Sequence, residues 1–179
     1  VQLRNAGDQY GLVSKALHWV IALLTLGLIW LGWVLVDLSY YSPWYNTANL
    51  AHVGLGMLVL ALAAFKLVWM LYSPKPAPQP ELSVREQRAS KLVHGLLILS
   101  MFLLPVTGYF TSTSEGDGVP IFGWFTIPAL VPVSDVLRDW SIDIHFYGAY
   151  GVLALAVLHA GAAMKHQWLD GHGTLRRML

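Results

Sequence analysis

The sequence predicts an all-α integral membrane four-helix bundle. It is expected to be a single domain over residues 1–179, with both termini cytoplasmic and a long outer loop between the third and fourth helices. Three observations predict this. Apolar residues make up 56% of the chain against 12% charged, with a mean hydropathy of +0.54, far from the composition of soluble domains. The apolar residues gather in four blocks, each with the roughly 20 residues a helix needs to cross the hydrocarbon core. Lys and Arg fall almost wholly to one side of those blocks.

The first block covers residues 16–36. It carries no cationic leader and no small-residue cleavage site, so a retained span is expected. The connection after it, "LSYYSPWYN" at 38–46, is aromatic and suits the interfacial belt. The second block, 50–71, leads into "SPKPAPQP" at 73–80, where closely spaced prolines forbid helix and favour an extended spacer. The third block is 92–110. Beyond it "GVPIFGWFTIPALVPVSDVLRDW", 118–140, reads as a long apolar loop with three prolines, expected to fold over the outer bundle end as a lid. The fourth block is 144–164. Single glycines rather than paired turn residues interrupt these runs, which fits helices and not the alternating strands of a membrane barrel.

Orientation follows from the cations. Arg4, Lys15, Lys66, Lys75, Arg85, Arg88, Lys91, Lys165, Arg176 and Arg177 fall on one side, predicted cytoplasmic, and only Arg138 on the other. The outer side carries Asp37, Glu115, Asp117, Asp135, Asp139 and Asp143, so an acidic outer face is expected. A net charge of +1 gives nucleic-acid binding no electrostatic support. The absence of cysteine excludes iron–sulfur clusters, thiolate zinc sites, disulfides and haem attached through thioethers.

The histidines sort by depth. His18, His94 and His159 lie near the cytoplasmic ends of their spans, and His52 and His145 near the outer ends. His166 and His172 follow Lys165 at the surface. His145 and His159 are fourteen residues apart, a rise of about 21 Å with about 40° of rotation, so both look into one bundle interior. Intramembrane ionisable groups are costly and usually functional. A histidine can also serve as polar glue between helices, worth only about 0.6–2 kcal/mol. Several at matched depths point instead to noncovalent haem, which takes two axial imidazoles from facing helices of a bundle. Two haems stacked across the membrane are expected. The outer level offers His52 and His145; at the inner level depth alone leaves both His18 and His94 open as partners of His159. The span interiors hold no Asp or Glu to share a proton relay, and Met57, Met101 and Met164 read as adaptable packing. Gly54, Gly148 and Gly161 follow the histidines and suit either close cofactor approach or ordinary helix packing.

On these residues the chain resembles the bacterial cytochrome b561 family. The resemblance is carried by "ALHW", "LAHVG", "KLVHGLLILSMFLLPVTGY", "FGWFTIP", "IHFYGAYGVLALAVLHAGAAMKHQW" and "TLRRML", in that order and spacing. It implies a four-span cytochrome with two noncovalent, bis-histidine b haems and axial ligands from spans one, two and four. These map onto His18, His52, His145 and His159, with His18 paired to His159 and His52 to His145. Anionic propionates would be met by Arg138 on the outer side, where pairing with Asp135 or Asp139 is the competing role, and by Lys66, Lys91 or Lys165 on the inner side, where snorkelling to headgroups is the competing role. His94 would line a quinone pocket, bond a propionate or bridge two helices. The chain departs from the family pattern at Lys66 and Met70, where arginines are usual, and at "LDGHG", 169–173, which keeps Asp170 as its single charge.

With both axial positions filled by protein, outer-sphere electron transfer is the implied role, in the bacterial inner membrane and coupled to ubiquinone. A membrane-anchor subunit of a larger oxidoreductase and a superoxide:quinone oxidoreductase are the alternatives; the acidic outer face disfavours an anionic substrate. Besides lipid and ubiquinone, the partners to expect are a basic periplasmic electron-transfer protein, a lipocalin-like isoprenoid binder or a second copy in a homodimer.

Overall fold

The computed structural model describes residues 2–77 and 82–179. Four helices dominate: α1 (Leu12–Asp37), α2 (Tyr45–Tyr72), α3 (Val84–Ser112) and α4 (Asp135–Met164), the last continuing through a π-helical turn at Lys165–Leu169. Each is long and apolar enough to cross a membrane. At 26 to 30 residues they measure about 39–45 Å. A hydrocarbon core of about 30 Å leaves their ends among the headgroups.

All four therefore outrun their apolar blocks, and the polar ends explain how. Ser83 caps α3: its Oγ accepts from the Glu86 amide (3.3 Å) while Glu86 Oε2 accepts from the Ser83 amide (3.0 Å). That box starts the helix eight residues before the expected residue 92. Ser134 caps α4 through the Leu137 amide, so 135–143, expected in part as loop, are helical.

Consecutive helices run antiparallel and pack side by side in chain order, and α1 meets α4 less closely than any two consecutive helices meet. A small core of Leu17, Ile21 and Ile29 on α1, Val59 and Ala63 on α2, and Val152 on α4 is buried between them. Pro105 lies within α3 and removes one rung of its ladder.

One bundle end gathers both termini and the α2–α3 connection. Asn5 Nδ2 donates to the carbonyls of Ser73 (3.0 Å) and Pro74 (3.1 Å), and its Oδ1 accepts from the Gly11 amide (2.9 Å). Arg177 reaches the carbonyls of Asp8 (2.8 Å) and Ala77 (2.9 Å), and Trp19 Nε1 that of Met178 (2.9 Å). Of the expected spacer, 73–77 has neither helix nor strand beyond the cap of α2, and 78–80 lies outside the described residues.

The other end is closed by a hairpin, β1 (Val119–Ile121) against β2 (Phe125–Ile127), with Val119 opposite Ile127. The turn has φ of +51° at Phe122 and +76° at Gly123, and the Trp124 amide donates to the Ile121 carbonyl (2.9 Å). Two positive φ values are what a type I′ turn needs, and a bulky residue rarely adopts one unless its side chain is held. Phe122 is held by α2: an ideal Cβ on Gly54 would lie 2.7 Å from its ring. Val119 is fully buried and Ile121 nearly so. Tyr109 Oη clips the following segment to α3, donating to the Pro128 carbonyl (2.8 Å) and accepting from the Leu130 amide (2.8 Å). The expected lid is thus a docked hairpin with a clipped tail.

Gly54→Val should push Phe122 out of its seat and undock the hairpin at a cost of about 1–3 kcal/mol. Hydrogen exchange of the amides at 119–127 is the measurement, and faster exchange there with the α3 interior unchanged is the expected outcome.

Candidate functional site

The bundle axis holds five histidines from all four helices. His52 of α2 faces His145 of α4 with ring centroids 5.9 Å apart and planes at 64°. His18 of α1 faces His159 of α4 at 6.0 Å and 63°. His94 of α3 stands nearer His159, at 4.8 Å. Because α4 carries one member of each pair, its fourteen-residue spacing sets the two levels about 21 Å apart.

Those separations suit a metal between the rings. Two metal–nitrogen bonds of about 2 Å, plus about 1.2 Å from each nitrogen to its ring centre, would give about 6.4 Å between two rings sharing one metal. The His18–His159 and His52–His145 separations fall within a few tenths of that value. The 4.8 Å between His94 and His159 is too short for a bridged pair and fits direct ring contact.

Hydrogen bonding prepares some of these rings. His145 Nδ1–H donates to the Leu104 carbonyl (2.9 Å), which leaves the Nε2 lone pair to bind and fixes the ring's orientation. His94 Nδ1–H donates to the Ser90 carbonyl (2.6 Å), one turn back on its own helix. His52 Nδ1 is buried with no hydrogen-bond partner among the described residues. A neutral ring with an unpaired nitrogen in an apolar interior is a costly arrangement, and it fits a site whose polar partner belongs to a bound group.

A cavity of about 1370 Å³ runs between the helices and is lined by all five histidines. That exceeds the roughly 300–1,000 Å³ of an ordinary single-ligand pocket. Glycines open space at the outer level: an ideal Cβ on Gly32 would lie 3.4 Å from His52 Cε1, and one on Gly108 3.1 Å from His145 Cε1. Gly32 lies fourteen residues after His18, Lys66 fourteen after His52, and Gly108 fourteen after His94. Every helix thus presents one face to both levels. The outer level combines His52 and His145 with two glycines; the inner combines His18 and His159 with Lys66 and His94. A flat, hydrophobic, anionic cofactor of the haem type fits this donor set: imidazoles for its iron, glycines for its plane, an ammonium for its carboxylates.

The other expected contacts are placed differently. Lys66 and Lys91 line the cavity. Arg138 is half-buried and paired with Asp135 (3.1 Å) and Asp139 (3.0 Å), and Lys165 is paired with Asp170 (2.6 Å) and Glu86 (3.5 Å). Gly54 lies under Phe122, Gly148 against the Leu104 side chain, and Gly161 faces open space. Gly32 and Gly108 went unnoticed in the sequence, although their fourteen-residue offset from a histidine on the same helix marks them.

Two groups outside the spans have shifted acidities. Burial raises the Tyr10 phenol, partly opposed by Arg177 stacked 5.7 Å above its ring, so Tyr10 stays a neutral hydroxyl at the terminal mouth of the cavity. Hydrogen bonds from Lys165 and His166 hold the Asp170 carboxyl below its usual range.

Known proteins resemble this chain over most of its length. The family model described as prokaryotic cytochrome b561 matches residues 9–179. Cytochrome b561 homolog 2 of Escherichia coli (strain K12) is 35% identical over 175 residues, covering 98% of this chain and 93% of the relative. Cytochrome b561 homolog 1 of the same organism is 25% identical over 167 residues, covering 91% and 92%. Cytochrome b562 of Cereibacter sphaeroides is 25% identical over 180 residues, covering 95% and 94%.

Gly108→Val is expected to lower the haem retained per purified chain, since its branched side chain meets the His145 ring. Gly161→Ala, whose Cβ meets nothing within 4 Å, should leave it unchanged. The pyridine haemochrome assay, normalised to protein, reads both.

Proposed function

The chain belongs to the prokaryotic cytochrome b561 family of multi-pass bacterial membrane b-type cytochromes that transfer electrons, and from that premise we propose a dihaem protein carrying single electrons across the inner membrane. His18 and His159 hold the inner haem, and His52 and His145 the outer one. The observation that carries this reading is the repeated pair, at 6.0 Å and 5.9 Å, fixed to two levels of one helix. Each bound haem supplies a one-electron centre. The protein's part would be to hold each haem iron between two imidazoles, which would leave oxygen or substrate no place at the metal and favour outer-sphere exchange. The Leu104 carbonyl fixes the His145 tautomer, Gly32 and Gly108 would leave room for a flat cofactor beside His52 and His145, and Lys66 would offset its carboxylates at the inner level.

The end that gathers the termini is the cytoplasmic one in this reading, because ten of the eleven cations belong to it. Ubiquinone is the mobile partner there: the cavity is continuous to that end, apolar along its length, and carries Lys91, His94 and Tyr10 as polar groups for a quinone head. At the hairpin end Arg138 is consumed by its two aspartates, and Asp37, Glu115, Asp117 and Asp143 leave the face acidic. Such a face repels superoxide and steers a basic electron-transfer protein.

Haem counted per chain in single variants tests the assignment. Wild type should carry two, His18→Ala and His52→Ala one each, and His94→Ala two. If His94→Ala drops to one while His18→Ala keeps two, the inner pair is His94 with His159 and the assignment fails.

A further inference from the structure

Beyond the haem cavity, one cluster of metal-ligating side chains stands at the terminal end. After α4 the chain makes its π-helical turn, Lys165–Leu169, closed by the Asp170 amide donating to the Lys165 carbonyl (3.1 Å). The wider turn brings His166 and Asp170 onto one side, with His166 Nδ1 2.7 Å from Asp170 Oδ2. Gly171 and Gly173, at φ of +73° and +66°, then reverse the chain. The His172 amide donates to the His166 carbonyl (2.8 Å), and the two imidazoles stack at 5.7 Å with planes 12° apart. Ligand atoms of His166, Asp170 and His172 all lie within 4.8 Å of one another.

We propose that His166, Asp170 and His172 form a binding site for a divalent transition-metal ion, zinc being the best match, separate from the haem histidines. Two imidazoles and a carboxylate are a borderline donor set that suits zinc over magnesium or calcium, and three protein ligands leave a fourth position to water. π-Helical turns are rare and recur at functional sites. Here the turn and the two left-handed glycines together build the juxtaposition. Lys165 is the competitor, its Nζ 2.6 Å from Asp170 Oδ2. It has another anion to turn to, since Glu86 Oε1 lies 3.5 Å away, so the carboxylate is released to a metal without leaving the ammonium unpaired.

An ion here would clamp the C-terminal tail. Between the ligands and the tail, Gln167 Oε1 accepts from the amides of Leu175 (3.0 Å) and Arg176 (3.4 Å), and Leu175, Arg177 and Met178 line the terminal end of the cavity. Metal binding would therefore stiffen the segment that closes this end.

The test is calorimetric titration of zinc chloride into the haem-loaded, tag-free full chain in detergent, with magnesium chloride as control. The expected result is one zinc per chain and no magnesium binding. The double variant His166→Gln/His172→Gln should weaken zinc by about tenfold or more, as loss of ligands does, with the haem spectrum unchanged. Lys165→Met, which removes the competing ammonium, should tighten zinc binding, a change that an ion-pair role alone would not produce. Absence of stoichiometric zinc binding by the wild type overturns the proposal. So does a zinc affinity unchanged in the double variant, or, if that variant fails to fold, one left unchanged by Lys165→Met.

Discussion

A histidine placed within a membrane-spanning bundle has no water to satisfy it, and its ring must find partners inside the protein or on a bound group. This constraint organises the rest of the molecule. Four helices that pack in chain order around an open axis bury few apolar side chains among themselves, and five imidazoles line the space between them. The bilayer already solvates the outer faces, so little hydrophobic force is left to close the axis.

The fourteen-residue interval is the rule that places the site. It is short enough to keep two residues on one side of a helix and long enough to separate two levels by about 21 Å. His18 with Gly32, His52 with Lys66, His94 with Gly108 and His145 with His159 all obey it. One interval on four helices thus produces two layers of different composition: glycine-lined at the hairpin end, lysine- and histidine-lined at the terminal end. Charge and hydrogen bonding differ around the two layers accordingly, and these are among the factors that set haem potentials.

Much of this was legible in the sequence. The four spans follow from hydropathy because the hydrocarbon core selects for it without regard to tertiary structure, and His145 with His159 could be placed on one face by counting. Depth could not choose between His18 and His94; the proposed choice of His18 comes from the family pattern, with ring separations from His159 of 6.0 Å for His18 and 4.8 Å for His94 in its support. Helix ends lie outside the apolar runs wherever a polar cap such as Ser83 or Ser134 starts the helix early. The hairpin was read only as an apolar lid, because its strands are three residues long and its fixing contact, Phe122 on Gly54, joins residues far apart in the chain. The same long-range contact explains why Gly54 lies away from the cavity. For Arg138 the neighbouring Asp135 and Asp139 already offer an ion-paired alternative in the sequence, and the structure forms both pairs, whereas Glu86, one of the two partners of Lys165, lies 79 residues away and could not be read there.

The central claim is that each level is a bis-histidine site, and electron paramagnetic resonance of the fully oxidised wild-type protein tests it most directly. Two low-spin ferric signals of equal intensity, with no high-spin component, are the predicted result. A high-spin signal, or a single low-spin species accounting for all bound haem, would contradict it.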